Sequence, residues 1–234
     1  MSTKQARPHV ETMIRRARLP SSLAFVTALA ACAAPGTPRE ALAQLDEMMA
    51  LVDRVQQGAN RARDAVNESF LRLRELADGD YGETPPATVY ERFVQSIDTA
   101  EQELQAFRAT SAPMLQADHP VFARWQRNAA RITSQTMRER CEFRLQDAQA
   151  RFLAIGTIAE RAAEQFATFN TSLRDTALFL ALDLNPGALA ELQEVVESLS
   201  RTAQEIDLNL EATIAVARAY VDQGVMPPAA APPK

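Results

Sequence analysis

The sequence predicts an all-α protein, an elongated antiparallel four-helix coiled-coil rod whose second helix is kinked near Pro113 and Pro120. Three observations lead there. Glycine is scarce, seven in 234 residues, while Ala, Leu, Glu, Gln and Arg abound. Between Pro120 and Pro186 there is no proline, and Gly156 is the only glycine. Within that stretch apolar residues return in steps of three and four: Cys141, Leu145, Ala148, Phe152, Ile155, Ala159, Ala162, Phe166, Phe169, Leu173 and Leu180, with polar Thr176 the one exception. A repeat averaging 3.5 residues keeps one seam on a partner helix when the helices supercoil left-handedly. At about 1.5 Å per residue, a helix from Ser134 to Leu182 runs roughly 70 Å, too long for a compact globule.

The chain opens on an address. Arg15, Arg16 and Arg18 precede the apolar run Leu23–Ala31, which Cys32 follows. That run is shorter than the ~20 apolar residues a membrane span needs, and a basic segment before a short apolar one is the secretory pattern. Leu29-Ala30-Ala31-Cys32 resembles the bacterial lipobox. The resemblance implies cleavage before Cys32, a diacylglyceryl thioether on its sulfur and an acylated new amino terminus. Residues 1–31 therefore read as a lipoprotein signal peptide, and Cys32 as the lipid-attachment site. Translation from Met13 would give a more ordinary leader, Met13-Ile14-Arg15-Arg16-Ala17-Arg18. Ala33, with no aspartate following the cysteine, resembles lipoproteins sent on to the outer membrane.

Residues 32–37 form the lipidated tether, and 38–222 the helical bundle. Thr37-Pro38-Arg39-Glu40 reads as a capped helix start with proline at the first position. A seam follows through Ala41, Leu45, Met48, Val52, Val55, Ala59, Ala62, Val66, Ser69, Leu73 and Leu76, and Asp78-Gly79-Asp80 ends it. After the loop 81–86, with Thr84 or Thr88 as cap, the second helix presents Tyr90, Phe93, Ile97, Ala100, Leu104, Phe107, Ser111 and Met114. Pro113 and Pro120 remove backbone donors, which predicts a kink near Ala109–Pro113 and a break at Asp118-His119-Pro120. A short piece, Val121–Arg131, carries Phe122 and Trp125 inward, and Ile132–Gln135 reverses the chain, with Ser134 or Thr136 as the next cap. Asp183–Gly187 turns it again. Asn185 caps a last helix bearing Leu189, Leu192, Val196, Leu199, Ala203, Ile206, Leu210, Thr213, Ala217 and Tyr220. The Pro/Ala-rich tail, 223–234, reads as disordered.

Charge excludes some classes. Residues 1–31 carry a net +4, leaving −9 on the rest of a chain whose total is −5. Such a balance disfavours nucleic acid, which binds through neutralised phosphates, and equally disfavours docking on anionic lipid. The chemistry is sparse. His119 is the only histidine after the leader and has no cluster at ligand spacing, so no metal site and no cofactor is expected. Cys141 sits on the long seam and reads as a small core side chain, with an intermolecular disulfide as the alternative for an envelope protein. Nothing in the pattern supplies a catalytic serine, histidine and acid. Asn67-Glu68-Ser69 and Asn170-Thr171-Ser172 match a glycosylation pattern but lie mid-helix. Arg174 and Asp175 read as a solvated face.

Four segments resemble a bacterial family of predicted coiled-coil lipoproteins known only as a domain of unknown function. They are Leu51–Val55 leading into Arg61–Phe70, Tyr90-Glu91-Arg92-Phe93, Val121–Trp125, and Arg174–Leu180 with Leu184-Asn185. The resemblance covers roughly residues 40–222 and implies the fold, a lipid anchor and an envelope location, with no catalytic residues. Where that family carries a basic pair before the final turn, Ala181 and Leu182 stand here. The expected function is a membrane-tethered periplasmic scaffold, spacer or protein-interaction lipoprotein without catalytic activity. It would be held by its acyl chains, meet envelope proteins or copies of itself, and take no nucleic acid. The alternative is a helical-bundle carrier of an apolar or lipid ligand, with space at the alanine layers or near Gly156.

Overall fold

The computed structural model describes residues 38–79, 81–116 and 119–222. Every described residue belongs to one compact unit, Pro35–Lys234. The leader, Cys32, the tether with its Thr37 cap and the Pro/Ala tail lie outside the described residues.

Among those residues all regular structure is helical: α1 Pro38–Asp78, α2 Pro86–Ser111, α3 Pro120–Ala129, α4 Gln135–Leu182, α5 Pro186–Glu191 and α6 Gln193–Asp222, with a 3-10 turn at Ala112–Leu115. α1 packs on α2 and α6, and α4 packs on the same two helices. The buried apolar cluster runs from Met48 to Tyr220, so this unit holds its own core. Each large side chain taken from water contributes about 1.5–3 kcal/mol toward holding this core together.

The seams are the core. Nine of the eleven predicted α1 positions, Met48 through Leu76, are buried, while the side chains of Ala41 and Leu45 lie outside the described set. On α4 every predicted position from Leu145 to Leu180 is buried. Burial also spreads beyond the seam, to Leu51, Ala65, Ala163 and Ala177. A helix with neighbours on two sides must bury a stripe wider than a two-residue-per-heptad line. Cys141, Tyr90 and Val196 are only half-buried.

The helix ends follow from local chemistry. Gly79 adopts φ +68° just past α1, a conformation that costs glycine nothing. α2 differs from expectation: neither Thr84 nor Thr88 caps it, and it begins at Pro86 after Pro85 with no side-chain cap. Proline at the first position lacks an N–H that would have no partner there anyway. The expected kink near Pro113 is a change of helix type, α2 tightening into the 3-10 turn that buries Met114. α3 restarts at Pro120, where the His119 ring nitrogen Nδ1 accepts the Val121 N–H at 3.5 Å. At the start of α4 it is Ser134, not Thr136, that accepts from Met137 N. Asn185 Oδ1 accepts from the N–H groups of Gly187 at 2.7 Å and Ala188 at 3.0 Å, the predicted cap. The last helix is interrupted at Leu192, whose N–H turns back to Leu189 O at 3.2 Å. That tightening lets Ala188, Leu189 and Leu192 all reach the core.

Candidate functional site

The densest chemistry among the described residues gathers where α3, α4 and the end of α6 meet. The His119, Phe122 and Phe152 rings lie 5.4–6.1 Å apart, centroid to centroid, and Tyr220 adds a fourth ring 6.2 Å from Phe152. The Arg151 guanidinium sits 5.1 Å above the Tyr220 ring and pairs with Asp147 at 3.0 Å. Trp125 is half-buried beside this cluster, and its indole N–H donates to Cys141 Sγ at 3.3 Å. Phe122 and Trp125 therefore both turn inward as the spacing of three predicts, Phe122 completely and Trp125 in part.

The rings of this junction pack edge to face. The His119 imidazole spends Nδ1 on starting α3, and burial pushes the Tyr220 hydroxyl well above the usual phenol range, Arg151 opposing it in part. A phenol so raised stays protonated and is a poor base. Its oxygen has no hydrogen-bond partner among the described residues. Among the same residues no group of three His, Cys, Asp or Glu side chains lies close enough to hold a metal ion. Asp118, the acid next to His119, lies outside them.

A polar joint that the sequence reading missed ties α2 to α4. Asn170 is 1% exposed and donates through Nδ2 to Glu101 Oε2 at 2.7 Å, while Gln105 donates to Glu101 Oε1 at 2.8 Å. The Gln105 hydrogen bond, with that of Asn170, holds the Glu101 carboxyl below its ordinary range against partial burial. Nearby, Arg174 pairs with Asp98 at 3.3 Å and the Tyr90 hydroxyl donates to Ala177 O at 3.0 Å. Arg174 is thus engaged across the helix pair. Asn170 read as a stray glycosylation pattern because the pattern ignores burial. Its place beside Phe169 on the buried face of α4 was the available signal.

Space for a ligand was expected at the alanine layers or near Gly156. Ala59, Ala62, Ala159 and Ala162 are fully buried in the common core. At Gly156 an added Cβ would lie 3.0 Å from Met114 and 3.1 Å from Leu115 Cδ2, so the 3-10 turn fills that place. Among the described residues, open grooves of mixed character lie between helices, as between α4 and α6, where Thr168, Ser172, Glu194, Val195 and Ser198 form part of the walls.

These features define a helical protein organised around one apolar core, with cross-helix polar pairs joining its helices. The chain belongs to the family described as Protein of unknown function (DUF2959), whose model matches residues 41–223. No curated protein and no solved structure matches it.

Proposed function

We propose that the chain is a lipid-anchored envelope protein of bacteria, tethered through Cys32, whose antiparallel four-helix rod acts without catalysis as a spacer, scaffold or interaction surface.

 The observation that carries this reading is the order of parts: a lipobox-like Leu29-Ala30-Ala31-Cys32, six residues ahead of a helical unit that holds its own core. Antiparallel packing is supported by cross-helix pairs whose numbers fall on one helix as they rise on the other. Glu103 meets Arg61, and Phe107 lies against Gly58. Tyr90 reaches Ala177, Asp98 reaches Arg174, and Glu101 reaches Asn170. Asn209 bonds Gln165 at 2.6 Å, and Tyr220 stacks near Phe152. An α4 of 48 residues sets a length of roughly 70 Å, a useful reach from a membrane surface.

Three acyl chains exceed the two signals needed for stable anchoring, so loss of the thiol should release the protein. Cells expressing the full chain are labelled with a palmitate analogue and fractionated. The proposal expects label on the wild type and in the membrane fraction, and neither on Cys32→Ser. An unlabelled wild type, or a Cys32→Ser protein that still partitions with membranes, removes the tether.

A further inference from the structure

The unit is electrically polarised along its length. Between residues 120 and 144, the elbow of α3 and the start of α4, the sequence places six arginines against two glutamates. At the opposite end, residues 75–91 and 183–200 together hold nine acidic residues and no arginine or lysine. Contacts fix which parts share an end. Arg124 of α3 reaches Glu47, near the start of α1, at 3.5 Å, and Phe152 of α4 meets Tyr220 at the end of α6. The α1–α2 loop and the Asn185 turn lie at the other end, where α1 meets α5.

The elbow's charge is largely unspent. Glu47 occupies Arg124, and Gln135 donates to Glu139 at 2.9 Å. Arg127, Arg131, Arg138, Arg140 and Arg144 have no ion pair among the described residues, and Arg127, Arg131 and Arg140 are exposed. The other acids on the elbow are Glu139 and Glu142, and the near ends of α1 and α6 add Asp46, Glu47 and Asp222. Among the arginines stand two apolar side chains in water, Met137 at 65% and Phe143 at 68% exposure. Cations interleaved with exposed apolar side chains suit the boundary between headgroups and acyl chains.

We propose that the α3–α4 elbow docks on anionic phospholipid headgroups, so that the helices stand on the membrane with their acidic end pointing away. This rests on the tether of the preceding section for its biological setting. Cys32 lies six residues before Pro38, a reach of at most about 20 Å, which delivers this end of α1 to the surface. The net negative charge of the chain argued against anionic lipid, but the surface responds to charge within about one Debye length, some 8 Å. An upright helix unit brings the elbow's arginines into that layer and keeps the nine far-end acids out of it. Lying flat would bring nine acidic residues into the same layer and be repelled.

The test uses the chain from residue 32 with Cys32→Ser, which keeps the whole described core, so failure here is separate from failure of acylation. Its binding is measured by co-sedimentation with phosphatidylcholine vesicles, with and without phosphatidylglycerol. Binding is expected only with phosphatidylglycerol and should weaken steeply with salt. Arg127→Glu/Arg131→Glu/Arg140→Glu should weaken it at least about tenfold. Met137→Ser/Phe143→Ser should weaken it further at high salt, where charge is screened. Neutralising the far end with Glu191→Gln/Glu194→Gln/Glu197→Gln should leave it unchanged, with helical circular dichroism confirming that each variant folds. Equal binding to both vesicles, an unaffected arginine variant, gain of binding in the glutamate variant, or displacement from vesicles by duplex DNA at equal charge would each overturn the proposal.

Discussion

At Glu101 one carboxylate joins two helices and reports on pH. It accepts from Gln105 on its own helix and from buried Asn170 across the interface. Both bonds favour the ionised form, so its folded pKa lies below the unfolded value of about 4.3. A depressed carboxylate contributes stability that is present above the unfolded pKa and lost as pH falls through the folded one. Thermal midpoints of the wild type should therefore fall more steeply than those of Glu101→Gln below about pH 4.5. Midpoints that fall in parallel would mean that the joint carries no charge. None of this was legible beforehand. A helical repeat marks which face a residue occupies, but not which polar side chain on that face finds a partner 69 positions away.

The helices themselves were readable because a seam of threes and fours has few other solutions once proline and glycine are absent. Caps were less so. Asn185 before Pro186 announced itself, whereas the start of α2 went to proline geometry instead of a threonine, and the break at Leu192 has no glycine or proline to mark it. Gly156 illustrates how two elements constrain one residue. An alanine Cβ there would lie 3.0 Å from the Met114 carbonyl carbon, and backbone does not yield as a side chain tip does. Overpacking of about 1–3 kcal/mol should outweigh a helix-propensity gain of under ~1 kcal/mol. At Gly58 the nearest atom is Phe107 Cδ2 at 3.4 Å, an ordinary contact. Urea denaturation should therefore show Gly156→Ala less stable than wild type and Gly58→Ala more stable by about 0.5–1 kcal/mol. Gains at both positions would mean that α4 and the 3-10 turn do not approach so closely.

For the whole molecule, net charge misled where its distribution informs. The leader and the acidic remainder gave one sign each, yet the fold sorts the remainder into a basic elbow and an acidic far end. That sorting needed the topology, because residues 75–91 and 183–200 are neighbours only after α1 and α4 have run their lengths. The same topology carries the spacer reading, in which length is the property that matters. Small-angle X-ray scattering of the monomeric chain from residue 32, with Cys32→Ser, tests that length most directly. A maximum dimension of about 70 Å or more is predicted, with a radius of gyration clearly above the roughly 17 Å expected of a compact globule this size. A radius of gyration near that compact value would contradict the rod, and the spacer role with it.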